Sequence, residues 1–515
     1  MKNKQRKDRE SGQSTPNVKI DLSDFGPILN GSVELRPLTI FVGPSNAGKT
    51  YLATLIYSLH RILSGFRRPI GNTWISDYGF PRLSSEQMLS ESDREQFWEF
   101  VEVLAKQEQD IKWSHLPTFI SQVFTDQLTD NSLGLEYELL RCFDLTELTQ
   151  LICSSSELNE AKISVDIQAH NRSHWTIDFN ISPDDGLSTC VKIDDLILIP
   201  REKFMLHSVI WQLPEIRNHI DHPMMRNLRM LGLIMDDFAY AMNKGQRRFK
   251  DHSIHYLPAA RSGIMQSYRI IASSLVSRST GSVVDNLEEI PTFAGPLADF
   301  MERLLLFNHR TEGHGILQEI ADLLEQETLG GKIIRRSGVS KVYPEFIYQP
   351  SHIESDIRLS RSSSMVSELA PIVLFLRGVF SLDSTVVIEE PEAHLHPAAQ
   401  ARLAYTLARM VRAGLKLVVT THSDWLLKAI SNLIREGLLR THDNNIEDKK
   451  PQRTFLRRNE VGVWLFRNLD TGSSIEEIPF NTSDGVEPIE YEEVEEELYN
   501  EAAKLQNEIA EEQSE

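Results

Sequence analysis

The chain has 515 residues, 41% apolar and 25% charged, an ordinary globular composition with room for one large or two average domains. Its three cysteines, Cys142, Cys153 and Cys190, have no CxxC spacing, which excludes a disulfide framework or thiolate zinc site and points to a reducing, cytoplasmic compartment. The net charge is −20, but residues 485–515 carry twelve glutamates against one lysine, Lys504, so −11 sits in the tail and −9 on the rest; a uniformly basic coat for phosphate backbones is excluded.

In chain order, residues 1–16 are polar and charged without an apolar segment behind them, which predicts a disordered leader and not a secretory signal. Short strands are expected over Val18–Leu22 and Val33–Leu35. The apolar, β-branched run Leu38–Val42 predicts a buried strand, and Leu52, Leu55, Ile56, Leu59 and Leu63 give one helical face. Between 64 and 249 the pattern is mixed: helix over 85–107 and 135–151, alternating strands over 163–181. A strand is predicted over Ile254–Leu257, then mostly helix from 270 to 329 with turn breaks near Gly281 and Pro291.

The C-terminal third alternates helix 366–376, strand 385–388, helix 397–413, strand 417–420 and helix 425–433, the rhythm of a largely parallel sheet. A polar loop, 441–452, precedes a last strand over 461–466. In the acidic tail, Val494, Leu498, Ala502, Leu505 and Ile509 share one stripe, which predicts a helix docked on its own chain, a second copy or a partner, self-docking being the simplest of the three. The longest apolar run, 370–380, is interrupted by Pro371 and Arg377 and falls short of the roughly 20 residues a bilayer requires, so no membrane association is expected.

Four segments carry chemistry. Gly43-Pro44-Ser45-Asn46-Ala47-Gly48-Lys49-Thr50 satisfies GxxxxGK[ST] between a predicted strand and helix. Its backbone N–H groups would cradle phosphates at a helix N-terminus, with Lys49 on the β- and γ-phosphates and the Thr50 hydroxyl on Mg²⁺. Strand 385–388 delivers Glu389 and Glu390 at its C-terminal end, where open α/β sheets bind ligands: Glu389 suits the Mg²⁺ position and Glu390 the polarisation of an attacking water. A second strand ends in Thr420, Thr421 and His422, with His422 a candidate for the γ-phosphate. Ser362, Ser363 and Ser364 open a helix, either as a plain cap or as an anion site.

Phosphate loop, serine segment, acidic pair and histidine follow the order of ABC-type ATPases. GPSNAGKT at 43–50, YLPAARS at 256–262, SSSMVSELAP at 362–371, IEEPEAHLHP at 388–397 and TTHSDWLL at 420–427 resemble the RecF/OLD/SMC-like branch, especially the stand-alone ATPases of antiphage defence such as PARIS and Septu. The resemblance implies an α/β fold, an ABC-type P-loop NTPase head with a mixed sheet plus a largely helical inserted region. It divides the chain into a leader (1–16), the first part of the head (17–63), an insert (64–249), a Q-loop-like and helical segment (250–350), the second part of the head (351–484) and an acidic helical tail (485–515). It also implies that two heads close around ATP, with Ser363 or Ser364 acting in trans. Three departures stand out: Glu389 replaces the usual aspartate, Met365 stands where a signature glycine belongs, and Gln266 and Arg261 are the candidates for a missing Q-loop glutamine. His394 and His396 with Glu392 have the form of a metal site, but the families resembled carry this HLH without a dedicated transition metal.

The implied function is an ATP-hydrolysing dimer, at least, working with ATP and Mg²⁺ in phage defence or DNA surveillance. Only 93 residues follow His422, and they carry no DxD pattern with an upstream glutamate, so a separate effector, nuclease or toxin, is expected. The alternatives are an ATP-gated scaffold with little turnover, a DNA-repair ATPase or, less well matched, a transporter motor. Arg247, Arg248 and Lys250, and Lys449, Lys450, Arg453, Arg457 and Arg458, each read as a nucleic-acid face or as solvated surface.

Overall fold

In the computed structural model the described residues are 17–63, 96, 99–100, 111–168, 174–193, 197–199, 254–280, 293–307, 315–336, 344–353, 355–440, 454–483, 485–486 and 489–512. The strands are β1 (Asn17–Phe25), β2 (Ile28–Leu35), β3 (Leu38–Val42), β4 (Ile111–Lys112), β5 (Ala161–Gln168), β6 (His174–Ser182), β7 (Gly186–Ile193), β8 (Ile197–Ile199), β9 (Ile254–Leu257), β10 (Gly331–Arg336), β11 (Glu345–Pro350), β12 (Ile357–Arg358), β13 (Thr385–Glu389), β14 (Lys416–Thr420), β15 (Val461–Leu469) and β16 (Gly472–Glu477). The helices are α1 (Lys49–Leu63), α2 (Thr118–Phe143), α3 (Arg261–Thr280), α4 (Gly295–Leu305), α5 (Gly315–Leu324), α6 (Ser364–Gly378), α7 (Pro397–Arg412), α8 (Asp424–Arg440) and α9 (Ile489–Glu512). They fall into two compact units, the first Met1–Leu35, Ser58–Arg141 and Leu145–Lys250, the second Arg36–Tyr57, Cys142–Asp144 and Asp251–Glu515.

In the first unit the strand order is β7-β6-β5-β1-β2, antiparallel throughout. Strand β5 alternates in burial, with Ala161, Ile163 and Val165 inward, as a sheet with one covered face requires. Helix α2 buries Leu135 and Leu139 together with Glu138, whose charge is met by Arg61 at 2.8 Å and Arg141 at 2.7 Å. The helix expected to run through 151 stops at Phe143 because Asp144 turns left-handed (φ 54°). The described part of 64–249 holds both helix and strand. One long helix accompanies strands β5 to β7; of these β5 pairs residue for residue with β1, and β6 and β7 follow in turn.

In the second unit the order is β16-β15-β3-β14-β13-β9. The five strands from β15 to β9 are parallel, and β16 runs antiparallel at the edge, so the sheet is mixed. Every residue of β3, β9 and β13 is buried, the mark of strands covered on both faces. Helix α6 is buried over eleven consecutive residues, Val366–Leu376, and accommodates Pro371 within its length. Each core leucine such as Leu403 or Leu407, wholly inaccessible, contributes about 1.5–3 kcal/mol by leaving water. A small antiparallel sheet, β10-β11-β12, has its first two strands within 250–350 and its third just beyond; these short, interrupted strands carry too little periodicity to be read from sequence.

Helix α9 forms as predicted, but Leu498, Leu505 and Ile509 are 61%, 50% and 54% exposed, so the apolar stripe is not packed on its own chain as expected. Among the described residues no helix is long and apolar enough to cross a membrane. The leader, most of the helix expected over 85–107, the breaks near 281 and 291, the loop 441–452, Arg247, Arg248, Lys250, Lys449, Lys450 and Arg453 lie outside the described residues. Arg457 and Arg458 are described; Arg457 sits 3.9 Å from Glu460.

Candidate nucleotide site

Because β3, β14, β13 and β9 are parallel, their C-terminal ends emerge along one edge of the sheet. That edge carries Gly43, the Thr420–His422 turn, Glu389 with Glu390, and Pro258 with Ala259. Ligands collect at such an edge because loops and helix N-termini converge there.

The phosphate loop is bent by backbone geometry available to few residues. Gly43 has φ 127° and a Cβ there would lie 2.3 Å from the Phe466 carbonyl oxygen; Gly48 has φ 94°. Asn46 also turns left-handed, at φ 65°. The Ala47 carbonyl accepts a 2.8 Å hydrogen bond from buried Ser473 on β16, and the Gly48 carbonyl accepts the first helical bond of α1 from Leu52 N–H, 3.0 Å. Ser45, Asn46 and Thr50 are exposed, whereas Ala47, Gly48 and Lys49 are buried. The Lys49 ammonium donates to the carbonyls of Gly43, 2.8 Å, and Pro44, 2.6 Å. Burial lowers its pKa to about 8, and the charges of Glu390 and Glu392 partly oppose that shift.

On β13, Glu389 is buried, with Oε2 accepting from Ala259 N–H at 3.1 Å and Oε1 lacking any hydrogen-bond partner. A buried, unpartnered carboxylate oxygen and a threonine hydroxyl at the start of α1 are hard donors of the type Mg²⁺ takes alongside phosphate oxygens, so the residues present fit that ion. Glu390 takes φ 39°, a conformation unusual for a residue with a side chain. Its N–H is held by the Thr420 carbonyl, 2.9 Å, and hydroxyl, 3.2 Å, and its carbonyl by Arg261 Nη2, 3.0 Å. Its carboxylate faces His422, Oε1 to Nε2 at 3.8 Å.

Burial, and after it the Lys49 charge, lowers the His422 pKa, which keeps the imidazole neutral near pH 7. Behind it, Glu392 Oε1 accepts from the Thr421 hydroxyl, 2.7 Å, and from His422 N–H, 2.8 Å, while Oε2 is buried and unpartnered. Burial raises the pKa of Glu392. Thr54 Oγ1 and the Tyr256 hydroxyl, 3.3 Å apart, join α1 to β9; burial, reinforced by the Glu389 charge, pushes the Tyr256 phenol well up.

The predicted residues therefore divide. Lys49, Glu390 and His422 share one electrostatic neighbourhood, and Glu389 shares Arg261 with Glu390. Ser363 and Ser364 are exposed; Ser363 caps α6 through Val366 N–H at 3.4 Å, and among the described residues no hydrogen bond or ion pair links either serine to the phosphate loop. His396 caps α7 through Ala398 N–H, 3.3 Å, and His394 faces Glu368 at 3.9 Å, so the two histidines serve separate contacts. Of the two Q-loop candidates, Gln266 is exposed on α3 and Arg261 is wholly buried against backbone carbonyls. Sequence reasoning missed Glu392 as the support of the histidine turn, and Ser473 altogether; the first was visible two residues beyond the acidic pair, the second had no local signal.

A phosphate loop between a parallel strand and a helix, beside carboxylates on a strand two places away in the sheet, defines a P-loop ATPase fold. The family described as AAA ATPase domain matches residues 287–427, the part that includes β13, Glu389, Glu390 and His422. A search of the curated proteins found no match. Among solved structures, an Smc head bound to the C-winged helix domain of ScpA is 11% identical, covering 91% of this chain and 98% of that one, TM-score 0.39. An Smc head with an extended coiled coil bound to the C-terminal domain of ScpA, derived from Pyrococcus furiosus, is 10% identical, covering 96% and 100%, TM-score 0.37. The SMC head domain from Thermotoga maritima is 10% identical, covering 90% and 98%, TM-score 0.36. At such scores the strand order and loop geometry of the chain itself carry the fold assignment.

Proposed function

We propose that the chain is a cytoplasmic ABC-type ATPase that binds ATP with Mg²⁺, dimerises around it and hydrolyses it to ADP and phosphate, controlling a separate effector in phage defence or DNA surveillance. The observation that carries this reading is the convergence of Lys49 with Glu390, Glu392 and His422, brought together from segments more than 300 residues apart. Loop N–H groups and Lys49 hold the phosphates. Thr50 and Glu389 hold Mg²⁺, which supplies charge neutralisation on the phosphate oxygens when bound. Glu390 accepts a proton from the attacking water, and neutral His422 donates a hydrogen bond toward the γ-phosphate.

Exposure of Ser363 and Ser364, with no link to their own phosphate loop, supports their acting on nucleotide held by a second copy. The exposed stripe of α9 supports a protein partner, and the defence role follows from the family resemblance alone. Calorimetry should detect ATP binding that Lys49→Ala abolishes. Glu390→Gln should retain binding, lose hydrolysis and accumulate an ATP-dependent dimer in light scattering. No binding by the parent chain, or undiminished hydrolysis in Glu390→Gln, would overturn the proposal. A switch with little turnover is the second reading, favoured because one oxygen of Glu389 is already engaged by Ala259 N–H.

A further inference from the structure

Arg261, in the segment YLPAARS, is the one guanidinium among the described residues that is wholly inaccessible. Its Nη1 donates to the carbonyls of Pro258, 2.9 Å, and Glu389, 2.5 Å. Nη2 donates to the carbonyl of Glu390, 3.0 Å, and Nε to that of Glu368, 3.3 Å, while the Glu368 carboxylate pairs with the guanidinium at 3.1 Å. Glu368 lies on α6, one turn beyond Ser364, and its other oxygen accepts from Ser262 N–H at 3.2 Å. One planar side chain thus spans the ends of β9 and β13 and the helix that carries the exposed serines.

The location of these contacts matters more than their number. Glu390 and His394 both take left-handed backbone conformations, φ 39° and 60°, which persist only where surroundings over-determine them. The Glu390 peptide is gripped on its N–H side by Thr420 and on its carbonyl side by Arg261. The direction in which its carboxylate leaves the backbone is therefore set by Arg261 as much as by its own rotamer. A lysine ammonium puts its donors on one atom and cannot reproduce the fork by which Arg261 serves four carbonyls.

We infer that Arg261 is a positioning residue for hydrolysis: it aims the Glu390 carboxylate and ties that aim to the serine-bearing end of α6 through Glu368. The inference rests on the ATPase reading. The test compares the full-length parent, Arg261→Lys and Glu368→Gln in steady-state hydrolysis, with ATP affinity by calorimetry and folded fraction by near-UV circular dichroism. Arg261→Lys should fold and keep KM within about threefold, since the phosphate loop is untouched, while kcat falls at least about tenfold. Hydrogen exchange at the 363–368 amides should respond to Mg-ATP in the parent and respond less in Arg261→Lys. Glu368→Gln should weaken that response while lowering kcat less.

A kcat per folded molecule equal to the parent's overturns the inference and leaves the ATPase reading intact. If the parent binds ATP without turnover, the exchange measurement decides: an unchanged response in Arg261→Lys overturns the inference. A parent chain that binds no ATP overturns both. Should Arg261→Lys fail to fold, Glu368→Gln, which keeps the packing and the Ser262 bond, carries the same comparison.

Discussion

The Lys49 ammonium offers the sharpest test of the site because its chemistry is set by where it sits. Burial lowers its pKa to about 8, against the opposing charges of Glu390 and Glu392. Phosphate oxygens are held by the ammonium and not by the neutral amine, so the apparent affinity of the free protein for ATP follows the protonated fraction. With a pKa of about 8, affinity should weaken about tenfold by about pH 9 and about thirtyfold by about pH 9.5, approaching 1.4 kcal/mol per pH unit. An ordinary lysine would lose almost nothing over that range. The stability of the unliganded chain should move the opposite way. The unfolded chain binds more protons than the folded one between about pH 8 and 10.5, so this group makes unfolding harder as pH rises through that window.

The assay is fluorescence anisotropy of a labelled ATP analogue across that range, with Lys49→Arg in parallel. An arginine stays charged, so the variant should bind more weakly at neutral pH but with a flat profile. Affinity in the parent that is constant to about pH 9.5, or an equal slope in Lys49→Arg, would refute the argument that burial tunes this group.

Other outcomes follow from the same geometry. Ser473→Ala removes the buried hydroxyl that donates to the Ala47 carbonyl; a loss of about 1–3 kcal/mol in urea unfolding is expected, with ATP affinity reduced several-fold. Gly43→Ala places a methyl 2.3 Å from the Phe466 carbonyl at φ 127°, and thermal melts should register about 3 kcal/mol or more of destabilisation. Glu392→Ala leaves the His422 N–H and Thr421 hydroxyl without their acceptor: hydrolysis should fall about tenfold or more while ATP affinity stays within a few-fold, and equal kinetics would refute the support role given to Glu392. Leu403→Ala, deep in the second unit, should cost about 2–5 kcal/mol with little change in KM.

What the sequence determined by itself was local. A glycine-rich turn, a lysine and a threonine between an apolar strand and an amphipathic helix are largely locally specified, since the bonds of Lys49 to the Gly43 and Pro44 carbonyls run over six residues or fewer. The acidic pair, the histidine turn and the alternation around β13, α7 and β14 were legible for the same reason: each is a short period followed by a residue of distinctive chemistry. The serine cap of α6 was legible as a cap, and α9 as a helix but not as an exposed one.

Tertiary structure alone decided the rest. Arg261 meets Glu368, Glu389 and Glu390 across sequence separations of more than 100 residues, and Ser473 reaches Ala47 across more than 400; no local pattern encodes either. The order of β5 to β7 was likewise set by pairing, β5 on β1, β6 on β5 and β7 on β6, which supplies partners for their backbone groups. The pKa of Lys49 likewise has no sequence signature: it comes from removing water around an ammonium, and that happens only once the fold has buried it.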